Sequence, residues 1–415
     1  MACIEIYGGR PLNGEVRIQG SKNAALPILA GMILHKGVTV LHNCPKISDI
    51  MYMVEILEKM GCRIEWSRDV LSVDASGLDS FRVPAELGDK MRGSVIFLGA
   101  LLGRMGNAAI PYPGGCCIGS RPIDFHVEAL RRMGARIHPG CEELTGTCGR
   151  LQGTRVRLGF PSVGATENII LAAVLAEGMT EILGCAREPE IAELCRFLNG
   201  KGARIKGAGT DRIRIEGVKE LKDSEFCLMP DRIVAGTYLM AAIASRGTCM
   251  LKEAPAEQME SVLDAAGRIG AAVRWYPEGL LVDGRRANRP LCLDTEPHPG
   301  FPTDLQSQLM AALCLSSGDS LIREHVFEAR FGTAAELAKM GAEIRIRNRE
   351  ARICGVCHLH GAVVKAPELR GGAALVIAGT AAEGKTVIED CHYIRRGYED
   401  ICRDMRALGA CITEV

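Results

Sequence analysis

The sequence has no surplus of charge of either sign, because 50 lysines and arginines balance 50 aspartates and glutamates. This balance disfavours a protein that binds nucleic acid or an anionic membrane surface through its overall charge. Long apolar runs are also lacking, since AALPILAGMIL and VIFLGALLG are too short to span a bilayer. Residues 1–11 lack the charged and then apolar profile of a signal peptide. We therefore expect a cytoplasmic protein without a nucleic-acid or membrane partner.

Cysteine, in contrast, is plentiful: the 415-residue chain has 18 of them, scattered singly through apolar segments. Reduced cysteine in such places acts as a small apolar residue, so we expect no structural disulfide. One cluster has the spacing of a haem-attachment motif with an added histidine, formed by Cys354, Cys357, His358 and His360. Haem attachment of this kind needs export, and we expect no signal peptide in this chain. Four ligands this close in sequence also cannot easily surround one zinc ion. The alternation around Cys357 fits an ordinary strand, and we expect no metal site.

The most informative pattern is an internal repeat. An amphipathic helix ends at a glycine and is followed by a strand in six copies, spaced by about 70 residues. The last helical residues of these copies are Met60, Met133, Lys201, Ile269, Met340 and Leu408. A second helix upstream in each copy is apolar on most sides, which is typical of a buried helix.

A repeat with two helices and several strands is too large for a solenoid. We therefore predict an α/β protein with two domains, each built from three such units around shared buried helices. One domain comprises residues 22–229, and the other comprises residues 1–21 together with 230–415. We expect the active site in the cleft between them, because clefts between domains are common ligand sites.

The starts of the buried helices carry polar residues at equivalent positions: Lys22 and Asn23, Arg92, Thr166, Asp231, Asp304 and Arg370. Helix N-termini bind anions, whereas a cation there is unfavourable for its own helix. An anionic ligand would explain the lysine and the arginines. Thr303 to Gln306 fits a capping box, which would place Asp304 at the first helical position. Asp304 there is either a proton acceptor or simply a residue that stabilises the helix dipole.

The segment PGGCCIGSRPID, residues 113–124, combines a glycine pair, a thiol and an arginine. The glycines allow sharp bending, and Arg121 could lower the pKa of the Cys116 thiol. Taken alone, this segment is also compatible with a surface turn that carries two incidental cysteines, Cys116 and Cys117.

Together these features resemble the enolpyruvyl transferases, and within them the enzymes whose acceptor is UDP-N-acetylglucosamine. The resemblance extends from GGRPLNGEV near the start to RRGYEDICRDMRALGA at the end. It rests on the motifs GSKNAALPILA, PGGCCIGSRPID, FPSVGATENI, AREPEI, GTDRI, PDRIVAGT, FPTDLQ and RRGYE. The family fold is a pair of inverse α/β barrel-like domains, each with three βαβαββ-type units, in agreement with the repeat.

The resemblance implies transfer of the enolpyruvyl group of phosphoenolpyruvate to the 3-hydroxyl of UDP-N-acetylglucosamine with release of phosphate. This is the first committed step of peptidoglycan precursor synthesis and the step that fosfomycin inhibits. The resemblance also implies Cys116 as general acid, Asp304 as the carboxylate facing the sugar hydroxyl, and Lys22 as a further catalytic residue. The phosphoenolpyruvate-binding residues would be Lys22, Asn23, Arg121, Arg330, Arg370 and Arg396. The nucleotide-sugar contacts would be Arg92, Arg121, Pro122, Ile123, Asp124, Phe125, Ser162, Val163, Gly164, Asp304 and Val326.

Such a reaction needs an acid for the methylene carbon, a base for the hydroxyl and arginines for a carboxylate and a phosphate. It requires no metal or organic cofactor. The chain departs from the family pattern at Gly93, in FGTAAEL after Arg330, at Glu368 and at the glycines after Arg370. The oligomeric state is not determined by the sequence, and a monomer is compatible with it.

Two alternatives remain open. The shikimate-pathway enolpyruvyl transferase shares the architecture and the chemistry, although that enzyme lacks the PGGCxIG loop. A paralogue that binds a nucleotide sugar without turnover is a different class of answer. Retention of Lys22, Cys116, Arg121, Asp304 and Arg396 weighs against it.

Overall fold

Six small sheets organise the part of the chain that the computed structural model describes, residues 3–88, 90–112, 114, 118–119 and 122–415. Five of these sheets have four strands and one has three. Cys116, Cys117 and Arg121 lie outside the described residues. The chain divides into two compact units. The first unit spans 20–229, except for the loop residues 118 and 119, which belong with 3–19 and 230–415 in the second unit.

The strands and helices follow one another in the order that the repeat predicts. The strands are β1 (Ile4–Tyr7), β2 (Asn13–Arg17), β3 (Val38–His42), β4 (Arg63–Ser67), β5 (Val70–Asp74), β6 (Asn107–Pro111), β7 (Arg136–Pro139), β8 (Glu143–Thr147), β9 (Arg155–Arg157), β10 (Met179–Leu183), β11 (Arg204–Lys206), β12 (Arg212–Glu216), β13 (Ser224–Cys227), β14 (Thr248–Lys252), β15 (Ala272–Tyr276), β16 (Gly279–Asp283), β17 (Cys292–Thr295), β18 (Asp319–Glu324), β19 (Glu343–Arg347), β20 (Glu350–Cys354), β21 (Val363–Lys365), β22 (Lys385–Glu389) and β23 (Cys411–Glu414). The α-helices are α1 (Lys22–Met32), α2 (Ser48–Lys59), α3 (Ala85–Gly88), α4 (Phe97–Met105), α5 (Asp124–Arg132), α6 (Val163–Ala173), α7 (Pro189–Gly200), α8 (Arg232–Ala244), α9 (Glu260–Ile269), α10 (Gln306–Leu313), α11 (Thr333–Lys339), α12 (Leu369–Ala381) and α13 (Ile401–Ala407). Short 3-10 helices span Arg92–Ile96, Ala256–Gln258, Thr303–Leu305, Arg330–Gly332 and Cys391–Arg396.

The first unit surrounds three apolar helices, α1, α4 and α6. Its sheets have the strand orders β13-β3-β5-β4, β6-β8-β7 and β11-β12-β10-β9. Nearly every residue of α6 is buried, including Thr166 and Asn168. The amphipathic helices α2, α5 and α7 bury one face each against this core.

The second unit repeats this arrangement around α8, α10 and α12. Its sheets have the orders β15-β16-β14-β2, β17-β18-β20-β19 and β21-β22-β1-β23. The N-terminal strands complete two of these sheets: β1 pairs antiparallel with β22 and β23, and β2 pairs parallel with β14. Helix α8 is buried along its full length, which explains its continuous apolar sequence.

Each amphipathic helix ends one or two residues before the glycine that the repeat identified. Gly61, Gly134, Gly202, Gly270, Gly341 and Gly409 all have positive φ, between 92° and 104°. This left-handed conformation turns the chain out of the helix, and glycine adopts it without a steric penalty. The predicted role of these glycines as helix ends is confirmed.

The described residues contain no helix that is both long and apolar enough to cross a membrane. The predicted strand around Cys357 is wrong, because β20 ends at Cys354 and Cys357 lies in a bend. The His360 ring packs against Gly341. No group of three or more His, Cys, Asp or Glu side chains in the described ranges has a metal-binding arrangement.

Candidate active site

Asp304 is held between two arginines in the second unit. Arg330 donates from Nη2 to Asp304 Oδ1 at 2.8 Å, and Arg370 donates from Nη2 to Oδ2, also at 2.8 Å. Both arginine side chains are buried, whereas the Asp304 side chain is 27% exposed. Three residues that are far apart in sequence therefore form one charged cluster, which we call the Asp304 cluster.

The cluster carries more hydrogen-bond donors than Asp304 can satisfy. The Nη1 atom of Arg370 and the Nε atom of Arg330 are buried and have no hydrogen-bond partner among the described residues. Burial is the largest single influence and disfavours the charge on Arg370, but the charge and hydrogen bond of Asp304, together with Tyr398 and Asp231, outweigh it and raise the pKa of Arg370. The Arg370 guanidinium therefore remains charged, and an arginine side chain can bind a carboxylate or phosphate at two points.

The start of α12 places Arg370 in this cluster. Glu368 caps the helix, because its Oε2 accepts from the Arg370 N–H at 2.8 Å and its Oε1 accepts from the Gly371 N–H at 2.6 Å. The capping carboxylate also offsets the cost of a cation in the first helical turn. Glu368 is a departure from the family pattern, and it acts as the N-cap of α12.

The predicted capping box at Thr303 is wrong. Pro302 is the N-cap of a 3-10 helix over Thr303–Leu305, no side chain caps it, and α10 begins only at Gln306. The Thr303 hydroxyl instead donates to Glu324 Oε2 at 2.9 Å. Asp304 is therefore the second residue of this 3-10 helix and not the first helical residue that the capping box predicted.

Lys22 and Asn23 begin α1 in the first unit. Ser21 caps this helix by accepting from the Ala24 N–H, and the Lys22 ammonium lies 2.7 Å from Asp49 Oδ2. Both members of this pair are buried. Asp49 therefore holds the Lys22 side chain in one position.

Three of the nucleotide-sugar contacts predicted in the first unit, Arg92, Asp124 and Gly164, lie near the buried side chain of His126. Arg92 starts the 3-10 helix before α4, Asp124 starts α5, and Ser162 caps α6 by accepting from the Ala165 N–H. A methyl group added to Gly164 would lie 3.2 Å from His126 Cε1, so Gly164 lies against the His126 ring.

His126 is a neutral imidazole in this setting. Burial is the main cause that lowers its pKa to about 4, and the charge of Arg92 adds to the effect. Asn168 Nδ2 donates to His126 Nδ1 at 2.8 Å, which leaves the proton of the neutral ring on Nε2. Asn168 is itself fixed by the Val95 carbonyl and the Gly99 N–H.

The remaining predicted residues of the second unit are Val326 and Arg396. Val326 donates its N–H to Glu324 Oε1 at 2.8 Å. Arg396 ends the 3-10 helix Cys391–Arg396 and is half-buried. The two residues predicted to act from the cysteine loop, Cys116 and Arg121, lie outside the described residues.

The chain is similar along nearly its whole length to proteins of known family. The profile of the family described as EPSP synthase (3-phosphoshikimate 1-carboxyvinyltransferase) matches residues 6–405. UDP-N-acetylglucosamine 1-carboxyvinyltransferase 2 of Caldanaerobacter subterraneus subsp. tengcongensis is 44% identical, and the match covers 100% of both chains. The protein of the same name from Carboxydothermus hydrogenoformans is 46% identical, again over 100% of both.

The chain belongs to the enolpyruvyl transferase family. Among solved structures, the enolpyruvyl transferase NikO from Streptomyces tendae has a TM-score of 0.90 at 25% identity, covering 100% of this chain and 99% of that one. An EPSP synthase from Acinetobacter baumannii has a TM-score of 0.77 over 100% of both chains, but at 18% identity it shows the fold alone. The predicted fold class and the prediction of an enzyme are confirmed.

Two departures from the family pattern, the FGTAAEL segment and the glycines after Arg370, lie against each other in the structure. A methyl group at Gly371 would lie 2.5 Å from Thr333 Oγ1, so the glycine after Arg370 accommodates the threonine of FGTAAEL. A methyl group at Gly93 would lie 2.7 Å from Met91 Cε, at the end of a flexible side chain. These departures leave both Arg330 and Arg370 on Asp304.

Sequence reasoning missed Asp49, His126, Asn168 and Glu324. Asp49 has a detectable signal, since it lies on the stripe of α2 that also carries Ile50, Met53 and Ile56, all buried. Asn168 has a similar signal, because it is polar within the apolar helix α6. The contact of Glu324 with Thr303 has no local signal, since the two residues are 21 positions apart.

Proposed function

We propose that this enolpyruvyl transferase moves the enolpyruvyl group of phosphoenolpyruvate to the 3-hydroxyl of UDP-N-acetylglucosamine and releases phosphate. In this role it would act in the cytoplasm, at the first committed step of peptidoglycan precursor synthesis. The observation that carries the proposal is the Asp304 cluster, in which a candidate base lies beside two buried arginines. The names of the relatives that match over their full length support the choice of acceptor.

The reaction is an addition followed by an elimination. The sugar oxygen bonds to the enol carbon while the hydroxyl proton leaves to a base, for which we propose Asp304. The methylene carbon gains a proton from an acid, for which the family resemblance supplies Cys116. Loss of a proton from the resulting methyl group and departure of phosphate then restore the double bond. Proton transfer by each positioned group contributes about 100-fold to 10,000-fold to the rate.

The arginine contacts restrict when Asp304 can act. Two guanidinium groups that bind both of its oxygens stabilise the ionised carboxylate and make it a weak proton acceptor. Phosphoenolpyruvate carries a carboxylate and a phosphate, and either group is a suitable partner for Arg330 or Arg370. We propose that its arrival draws one guanidinium away and frees an Asp304 oxygen for the sugar hydroxyl.

The first unit would hold the nucleotide sugar and the other end of phosphoenolpyruvate. Lys22, fixed by Asp49, supplies a positive charge at the start of α1. Arg92, the start of α5 and the capped start of α6 supply a cation and free N–H groups, which suit a diphosphate. The chemistry calls for no metal or organic cofactor.

Phosphate release from phosphoenolpyruvate, measured with each acceptor in turn, tests the proposal. We expect rapid release with UDP-N-acetylglucosamine, none with phosphoenolpyruvate alone, and none with shikimate 3-phosphate. Shikimate 3-phosphate is the appropriate alternative acceptor, because the matching family is described as 3-phosphoshikimate 1-carboxyvinyltransferase. Release with shikimate 3-phosphate alone would assign the chain to the other branch, and binding of UDP-N-acetylglucosamine without release would indicate a binding protein.

A further inference from the structure

Glu324 is a fully buried carboxylate at the end of β18 with three hydrogen-bond donors around it. Its Oε1 accepts from the backbone N–H of Val326 at 2.8 Å and of Phe327 at 3.0 Å. Its Oε2 accepts from the Thr303 hydroxyl at 2.9 Å. A buried carboxylate is tolerated when such donors replace its water, so these contacts explain why an acid is stable at this position.

The partners of Glu324 belong to two segments that meet again at Asp304. Thr303 directly precedes Asp304 in the 3-10 helix. Phe327 lies three residues before Arg330, whose guanidinium is 5.7 Å from the centre of the Phe327 ring and donates to Asp304 Oδ1. These residues therefore form a closed chain of contacts. Glu324 accepts from Thr303, the neighbouring Asp304 accepts from Arg330, Arg330 lies near the Phe327 ring, and the Phe327 N–H donates back to Glu324.

The same segment also touches the described end of the cysteine loop. The Ala329 N–H donates to the Ile118 carbonyl at 3.0 Å. Gly119 lies beside Glu328, since a methyl group added to it would be 2.1 Å from Glu328 Oε2. Ile118 and Gly119 contact residues 328 and 329, so an interaction that fixes the 326–330 segment also fixes the surface that these two loop residues touch.

We propose that Glu324 is a positioning residue of the transfer reaction, which sets the Asp304 turn and the Val326–Arg330 segment in one fixed relation. This inference rests on the proposed function. Glu324 contacts neither reacting group. It acts through Thr303 on the base and through the Val326 and Phe327 amides on the segment that carries Arg330. Misplacement of a catalytic group by about 1 Å can cost about 100-fold in rate, so a residue with this role has a measurable effect.

The test removes one hydroxyl and keeps the shape of the side chain. Thr303→Val deletes the contact with Glu324, whereas Thr303→Ser keeps it. We expect Thr303→Val to lower kcat by about 10-fold or more, with a smaller change in KM for UDP-N-acetylglucosamine, and Thr303→Ser to restore most of the rate. Glu324→Gln keeps an oxygen for the two amides, and Thr303 can then accept from the new NH₂ group, so this variant should also retain most of the rate.

Thr386→Val is the matched control. Thr386 is a fully buried threonine of β22 in the same unit, and its hydroxyl has no hydrogen-bond partner among the described residues. We expect wild-type kcat for this variant. Equal kcat values in Thr303→Val and Thr386→Val would overturn the proposal, as would a Thr303→Ser variant as slow as Thr303→Val.

Amide hydrogen exchange separates this inference from the proposed function. In Thr303→Val, peptides covering 303–305 and 326–330 should exchange faster than in the wild type, whereas Thr386→Val should leave them unchanged. If the wild-type chain releases no phosphate with UDP-N-acetylglucosamine, the proposed function fails, and the exchange data still decide whether Glu324 fixes these segments. Unchanged exchange at 326–330 in Thr303→Val would contradict the positioning role.

Discussion

The second buried helix of each unit begins in the same way but carries opposite chemistry. In the first unit, a 3-10 helix over Arg92–Ile96 leads into α4, and in the second a 3-10 helix over Thr303–Leu305 leads into α10. Arg92 is a cation beside a neutral histidine, whereas Asp304 is an anion between two cations. The repeat thus determines where a functional side chain is placed, and the individual copy determines its charge.

The ion pairs of the two units also differ in what they connect. Lys22 and Asp49 come from helices of the same copy in the first unit. Asp304 and Arg370 come from the starts of α10 and α12, which belong to different copies of the second unit. The Asp304 cluster therefore stabilises the association of two copies as well as forming a candidate catalytic site, and its loss should have two consequences.

The largest expected effect in this comparison comes from Asp304→Asn. The amide keeps the shape but cannot accept the hydroxyl proton, so turnover should fall by about two to four orders of magnitude. It also leaves two buried arginines without a carboxylate, and the free energy of unfolding should fall by about 1–3 kcal/mol. Steady-state phosphate release and denaturant unfolding measure the two effects separately.

Asp294→Asn provides the control for this change. Asp294 pairs with Arg323 and His325 in the same unit, but all three side chains are substantially exposed. Exposed ion pairs contribute about 0–1 kcal/mol, so this variant should retain turnover and nearly all of its stability. Near-normal turnover in Asp304→Asn would contradict the assignment of Asp304 as the base.

A smaller effect, on stability alone, is expected from a substitution at Lys201, where one copy of the repeat differs from the other five. Lys201 occupies the helix-end position at which the other copies have buried Met, Ile or Leu residues, and it too is fully buried. Its ammonium donates to Thr39 Oγ1 at 2.7 Å and to Ser224 Oγ at 3.3 Å. Burial is the main cause that lowers the pKa of Lys201 from its usual 10.5 to about 8.

Lys201→Met should therefore stabilise the protein at neutral pH, by about 1–3 kcal/mol. Because the unfolded chain holds the lysine proton more tightly than the folded chain, wild-type stability should rise as the pH increases from about 8 to about 10.5. The variant should lack this rise, so the difference in the free energy of unfolding between the variant and the wild type should become smaller over that pH range. Lys206→Met, on the exposed edge of β11, is the control. A Lys201→Met protein less stable than the wild type at pH 7 would show that the hydroxyl contacts outweigh burial of the charge.

The parts of the structure that follow from local sequence could be predicted, and those that depend on distant partners could not. The six helix-ending glycines are visible because glycine, helix and strand are adjacent in the chain. Thr303 shows the limit: its spacing to Gln306 satisfies a local rule, but a buried carboxylate 21 residues away takes its hydroxyl. The pairing of Asp304 with Arg330 and Arg370, 26 and 66 residues away, also requires the fold.

The family resemblance supplied what local patterns could not, including the choice of acceptor. It located Arg330 and Arg370 near an anionic substrate, but it did not indicate that both arginines bind Asp304 in the same structure. Nor did it indicate the contacts of Asp49 with Lys22 or of Asn168 with His126, although Asn168 lies within the FPSVGATENI motif. Supporting residues of this kind are identified by burial and contacts, which a single sequence does not contain.

The most direct test of the account is to run the reaction in deuterated water and identify the product by mass spectrometry and NMR. Addition followed by elimination passes through a methyl group that gains one solvent hydron and then loses one. The account predicts UDP-N-acetylglucosamine carrying an enolpyruvyl group on its 3-oxygen, with deuterium in the methylene position. An enolpyruvyl product without deuterium, or no enolpyruvyl product at all, would contradict it.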